Sequence, residues 1–263
     1  MKRLVSPLSS LVRAASLAAL LAVLGSGVGT AAAAPPTGAA VLALASRAAP
    51  APAWAQATYL EVPSEGLPAR RLLRLSTSPE GFVREDREDL GPQGALATEI
   101  WGPPGRSAPG IAAITEAPGW IQLLAGRRVE AVVADLGIDP KRTALSRDDA
   151  TVLVVLGAGP AERDRPQLHV ERDSGRVRRV TERVRPPSLD GVTLEGDSPL
   201  SVELRGSAGA DAPRAAWPER LVIVTLEGVT TFALQDLRVG APLDPALFAP
   251  PALPAVAPSS PAP

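Results

Sequence analysis

Residues 118–137 read PGWIQLLAGRRVEAVVADLG, and the periodicity of this stretch decides which fold the chain needs. Ile121, Ala125, Val129, Val132 and Leu136 recur at i, i+4, i+8, i+11 and i+15, which places them on one stripe of a 3.6-residue helix. Trp120, Leu124 and Val133 widen the stripe, so it has to be buried against a sheet. Gly137 is suited to a C-cap and Asp139-Pro140 prevents continuation. Gly126 falls in the middle, where glycine costs about 1 kcal/mol relative to alanine, and it allows the element to split into two shorter helices.

Outward from this helix the chain reads as strands. On the N-terminal side, 55–62, 69–76, 81–88 and 95–101 are extended segments separated by Pro, Gly and Ser, at a spacing that suits an antiparallel meander. In RRLLRLS, Arg71, Leu73 and Leu75 share one face and Arg70, Leu72 and Arg74 the other, so one side is wetter. On the C-terminal side, 150–156 (ATVLVVL) is a nearly continuous apolar strand. Residues 168–171 and 177–184 form a hairpin around Asp173-Ser174-Gly175. Segments 200–205, 219–226 and 231–239 add three strands, and 242–248 closes with Leu247 and Phe248 as an apolar plug.

The ends differ in composition from this body. Lys2, Arg3 and Arg13 precede a short apolar run at 14–25, and small residues at 30–34 offer a cleavage site, which reads as a secretory signal peptide over 1–33. The run is shorter than the ~20 residues of a spanning helix and is interrupted by Gly25 and Gly27. Residues 34–53 are Ala- and Pro-rich, with 39–46 able to form a short helix and ordered structure expected from Trp54. Residues 54–250 form one domain, and 251–263 is a Pro/Ala-rich tail disordered by composition.

Composition removes several functional classes. Cysteine is absent, which excludes disulfides, thiolate ligands, a cysteine nucleophile and a lipidated N-terminal cysteine. Aromatic residues are 3% of the chain, so the core is built from Leu, Val and Ala, and each of the four Trp is conspicuous. Without Lys2, Arg3 and Arg13 the chain has 24 basic against 28 acidic residues, a formal charge of −4. An acidic protein is a poor binder of phosphate backbones, and no nucleic-acid partner is expected.

A search for catalytic chemistry yields little. His169 is the one histidine and lies mid-strand, pointing away from the face of Leu168 and Val170, with no orienting carboxylate or nucleophile indicated. Neither a metal site nor a cofactor is expected. Gly157-Ala158-Gly159 follows a strand, but Pro160 and Glu162 break the dinucleotide fingerprint. The cluster Glu85-Asp86-Arg87-Glu88-Asp89, like Asp148-Asp149, is expected to be a solvated face. The eight Arg of 163–185 alternate with Glu162, Asp164, Glu171, Asp173 and Glu182, which suggests cross-strand ion pairs.

Two stretches carry a family resemblance. Val155-Leu156-Gly157-Ala158 with 166–175 (PQLHVERDSG) and Arg178-Arg179-Val180, then Trp217-Pro218-Glu219-Arg220-Leu221 and 237–248 (LRVGAPLDPALF), resemble the strand-hairpin, closing strands and hook of the periplasmic lipoprotein-carrier and lipoprotein-sorting superfamily, the Lol-type half-barrels. The resemblance implies a mainly β fold with a helical insertion: a curved, incompletely closed antiparallel β-barrel wrapped around a helix. It also implies a non-enzymatic, monomeric periplasmic protein that holds lipid or lipoprotein acyl chains in an apolar cavity of several hundred Å³, for lipoprotein sorting or transport to the outer membrane, with membrane-anchored donor and acceptor proteins. Burial at about 0.8 kcal/mol per CH₂ supplies the affinity, and helix displacement the release.

Trp54, Leu73, Leu75, Trp101, Trp120, Leu124 and Val132 are the expected cavity lining, with Trp120 at the helix N-terminus where a lid would open. Leu73, Leu75, Leu124 and Val132 suit a plain core equally. A second reading is a periplasmic regulatory or structural module that binds a protein partner, its interior filled by side chains. A secreted hydrolase ranks last, for want of a nucleophile–base–orienter set.

Overall fold

The computed structural model describes residues 35–63, 66–106, 108–157, 159, 161–162, 165–184, 198–209, 214 and 216–250. The expected signal peptide, C-terminal tail and most of the 185–199 loop lie outside these residues. Within the unit Pro35–Pro263, twelve strands form one sheet: β1 (Ala55–Glu61), β2 (Arg71–Thr77), β3 (Val83–Asp89), β4 (Leu96–Gly102), β5 (Ala112–Ala113), β6 (Thr143–Asp148), β7 (Thr151–Leu156), β8 (Gln167–Glu171), β9 (Val177–Val184), β10 (Ser198–Arg205), β11 (Arg220–Thr225) and β12 (Gly228–Val239). Their order is β5-β4-β3-β2-β1-β12-β11-β10-β9-β8-β7-β6. Each pair is antiparallel except β4 with the two-residue β5. Among the described residues the sheet does not close, and β5 and β6 are its edges.

Register determines which side chains share the inner face. Tyr59 stands opposite Leu73 and Leu234, Ala57 opposite Leu75, and Val83 opposite both Thr77 and Trp101. In the other half Leu204 faces Leu221, Val202 faces Val180, Val180 faces Leu168 and Leu168 faces Leu156. These residues form one apolar cluster with three helices: α1 (Gly38–Ala48), α2 (Gly119–Leu124) and α3 (Val129–Asp135). The sheet thus curves around the helices, as an alternating inner face must if it is to meet their stripe.

The 118–137 stretch splits at Gly126, which has φ +77°; a Cβ there would stand 2.6 Å from the backbone nitrogen of Pro52. Only glycine tolerates both the left-handed backbone and so close an approach. The α3 C-terminus ends as its sequence indicates, with Gly137 at φ +66° and its N–H donating to the Ala134 carbonyl at 3.1 Å.

Several elements depart from expectation. The helix allowed at 39–46 runs over Gly38–Ala48, capped by Thr37, and buries Val41 and Ala45 in the core, so structure begins before Trp54. β6, TALSRD, carries no apolar alternation, because an edge strand with both faces half wet needs none. The charged stretch at 85–89 is solvated only in part: Arg87 and Asp89 are exposed, but Glu85 and Asp86 are buried. Glu85 shares the inner face of Val83, whereas Asp86 faces outward beneath the C-terminal hook. There Arg84 donates to the Leu247 carbonyl at 3.0 Å and Thr98 to Asp86 at 2.6 Å.

Candidate functional site

The inner face is apolar except at a few positions, and the most unusual is Glu182 on β9. Alternation along Val180, Thr181 and Glu182 turns the first and third inward, so the carboxylate points at the helices. Glu182 is 4% exposed. The backbone N–H of Gly119, the first residue of α2, donates to both its oxygens, at 2.9 and 3.0 Å. Burial pushes this carboxyl up to about 7, against the pull of the Gly119 hydrogen bond. The bond crosses from the sheet to the helical insertion. Gly119 is required there, because a Cβ would lie 2.7 Å from Leu136 Cδ1, so the start of α2 and the end of α3 pack without room for a side chain.

The insertion is held within itself by polar contacts. Gln122, buried on α2, donates to the Ala117 carbonyl at 2.7 Å and accepts from Arg127, which also pairs with Asp135. These bonds fold the short helices onto each other across Gly126. Ser46 on α1 donates to Glu130 on α3 at 2.6 Å, which holds the Glu130 carboxyl below the usual carboxylate range. On the far side of the inner face Tyr59 donates to the Pro218 carbonyl at 3.1 Å, which fixes the connection carrying the buried Trp217.

Of the expected lining residues, Leu73, Leu75, Trp101, Trp120, Leu124 and Val132 meet in the one inner cluster. Trp54 is separate: it is half-buried and packs at a tilt of 46° against Phe248 of the C-terminal hook, ring centroids 6.1 Å apart. Two recesses among the described residues are small. One of about 100 Å³ lies between Pro52, Pro103, Ile114 and Gly126; another of about 230 Å³ lies between α1 and Val154, Glu171 and Arg172. None of the seven expected residues borders either, and Trp120, Ile121, Leu124, Val129, Val132 and Val133 of α2 and α3 are buried in the inner cluster, filling the face of the sheet against which they pack.

One residue, Glu182, joins the site without having been a candidate in the sequence. Glu182 is not the ion-pair member that the Arg-rich hairpin suggests, although Glu171, at the turn end of that hairpin, is, pairing with Arg178 at 3.2 Å. Counting parity from the core residue Val180 is the signal that could have found it. His169 does point away from Leu168 and Val170, yet it is buried: its Nε2 lies 3.0 Å from Gln167 Oε1, and desolvation, with Arg179 nearby, pushes it down to about 4. Among the described residues no group of three His, Asp or Glu is placed to hold a metal, and no helix is long and apolar enough to cross a membrane.

An open sheet, antiparallel except at β5, curved around a helical insertion defines the class of fold, a half-barrel with its helices on the inside. Neither a family model nor a curated protein matches the sequence. Among solved structures the chain is similar to a LolA-superfamily protein from Nitrosomonas europaea, at 10% identity over 81% of this chain and 98% of that one, TM-score 0.42. It is also similar to an outer-membrane lipoprotein-sorting protein domain from Vibrio parahaemolyticus, at 11% identity over 81% and 97%, TM-score 0.42. A DUF1329-family protein from Desulfovibrio piger matches at 10% identity over 81% and 95%, TM-score 0.41.

Proposed function

We propose that the protein is a non-enzymatic, exported carrier that binds the acyl chains of a lipid or lipoprotein on the inner face of its sheet, with α2 and α3 as place-holders that the ligand displaces. The observation that carries this reading is how the insertion is seated. Two helices of 6 and 7 residues cover an apolar face, and α2 meets β9 through the Gly119–Glu182 hydrogen bonds rather than through strand pairing. Trp120, Ile121, Leu124, Val129, Val132 and Val133 occupy the volume that acyl chains would take. Each buried CH₂ returns about 0.8 kcal/mol, so two long chains can offset the loss of the helix contacts.

The filled interior favours one alternative, a module that binds a protein partner and never opens. Native mass spectrometry with organic extraction, applied to protein purified from a periplasm, separates the two. Co-purifying acyl species, lost in Leu124→Glu with the circular dichroism spectrum retained, is the expected result. A lipid-free protein that also takes up no fluorescent acyl probe overturns the carrier.

A further inference from the structure

The polar groups buried on the inner wall differ in where their partners sit. Tyr59 donates to the Pro218 carbonyl at 3.1 Å, Thr77 donates to the Ala53 carbonyl at 2.9 Å, and Glu85 accepts from Arg87 at 2.7 Å. Pro218, Ala53 and Arg87 belong to the sheet or its connections and keep their places if the helices move. Glu182 instead accepts from the Gly119 N–H of α2, at 2.9 and 3.0 Å. Among the described residues, the other side-chain hydrogen bonds of α2 and α3 stay within the insertion or go to α1.

Glu182 is therefore the wall residue that loses its partner when α2 leaves. Its neighbours on the inner face are apolar: Leu200 stands opposite on β10, Val180 precedes it on β9, and Val202 and Leu168 flank Val180. A carboxylate is an acceptor, and an acceptor buried without a donor is heavily penalised. A cargo that takes the volume of α2 keeps water from this carboxyl as α2 does, so the cargo has to bring the donor.

The group being replaced defines that donor. It is a neutral amide N–H directed at both oxygens. An ester or a free carboxylate brings only acceptors. An ammonium group would have to shed its water beside Leu200 and Val180, which is costly for a charge. The placement of Glu182 suits a linkage as well. It lies two residues from the end of β9 at Val184, and away from that end Leu200, Val202 and Leu204 continue along β10 as about 13 Å of apolar wall. An acyl chain laid on this run has its linkage at Glu182 and its headgroup toward the rim.

We propose that Glu182 makes the inner face selective for acyl chains linked through an amide N–H over the same chains linked through an ester. This selectivity rests on the carrier reading, with α2 as the element displaced, and adds to it the class of cargo. It is tested by displacing a fluorescent acyl probe from the exported protein at pH 8 with three compounds of equal chain length. They are N-methyl dodecanamide, methyl dodecanoate, which has oxygen in place of the N–H, and N,N-dimethyl dodecanamide, which keeps the amide carbonyl but has no N–H.

Each affinity is compared between wild type and Glu182→Leu, so that differences in hydration among the compounds cancel. The affinity of the N-methyl amide relative to the ester is expected to fall about tenfold in Glu182→Leu, and that of the dimethyl amide relative to the ester to stay unchanged. Glu182→Met is expected to repeat the fall with a second apolar side chain, and Glu182→Gln, which keeps an acceptor oxygen, to stay close to the wild-type ratio. Wild-type ratios in Glu182→Leu and Glu182→Met, or an equal fall for the dimethyl amide, overturn the selectivity and leave the carrier standing. A wild type that takes up no acyl probe overturns the carrier, and the selectivity with it.

Discussion

Glu85 on β3 and Glu182 on β9 are both buried carboxyls on the inner face of the same sheet, and in both burial raises the carboxyl above its usual range. Their partners differ. Glu85 accepts from Arg87, two residues along its own strand, at 2.7 Å, so its compensation stays with it whatever the helices do. Glu182 accepts from the Gly119 amide of α2, and its environment lasts only while α2 is seated. The two halves of the sheet therefore pose the same electrostatic problem and answer it differently: one carboxyl is part of a fixed wall, whereas the other reports on the presence of the helix against it.

The largest expected effect is on the Glu182 side. Its folded-state value of about 7 lies above the 4.5 of the free carboxyl, so between these values the unfolded chain releases a proton that the folded chain keeps. Stability from this group is full below the unfolded value and is lost as pH rises to the folded one, by up to about 3 kcal/mol. Urea denaturation from pH 4.5 to 8 is expected to show wild type losing ground to Glu182→Gln by that amount; parallel pH profiles would contradict the assignment.

On the Glu85 side, Arg87→Met is expected to cost about 2 kcal/mol at pH 8, where a buried carboxylate would be left without its guanidinium. The cost should fall at pH 5, where Glu85 can take up a proton, and the same denaturation series measures both. The smallest effect belongs to the helices themselves. Ser46→Ala removes the α1–α3 bond to Glu130 and is expected to lower stability by about 1 kcal/mol, with the larger change in amide exchange of α1 and α3 rather than of β3.

Much of this architecture was legible in the residues. The strand punctuation, the 118–137 stripe, its break at Gly126, the Gly137 cap and the Phe248 plug depend on local chemistry, and local chemistry determines them here. What escaped was everything that depends on which face turns inward. Glu85 and Glu182 sit in mixed-charge stretches that look solvated, and the exposed Arg87 and Arg183 in those stretches fit that look, whereas the two carboxyls are buried on the inner face. β6 was missed because a polar edge strand has no period to display. The inner-face role of α1 was missed because an Ala-rich helix shows no strong stripe. For the expected lining, six residues converge because alternation and helix period set them on facing surfaces. Trp54 does not, because its aromatic partner Phe248 comes from the far end of the chain.

That far end also governs how the molecule is made. β1 pairs with β12, with Ala55 opposite Val239, so the seam in the middle of the sheet joins the first strand to the last. Closing so long a loop costs about 5 kcal/mol of chain entropy, and no local hairpin can offset it until β12 is present. A chain emerging from its N-terminus therefore assembles separate groups of strands with raw edges and becomes whole only when its final strand arrives. Such non-local closure belongs to the slow, millisecond-to-second range of folding.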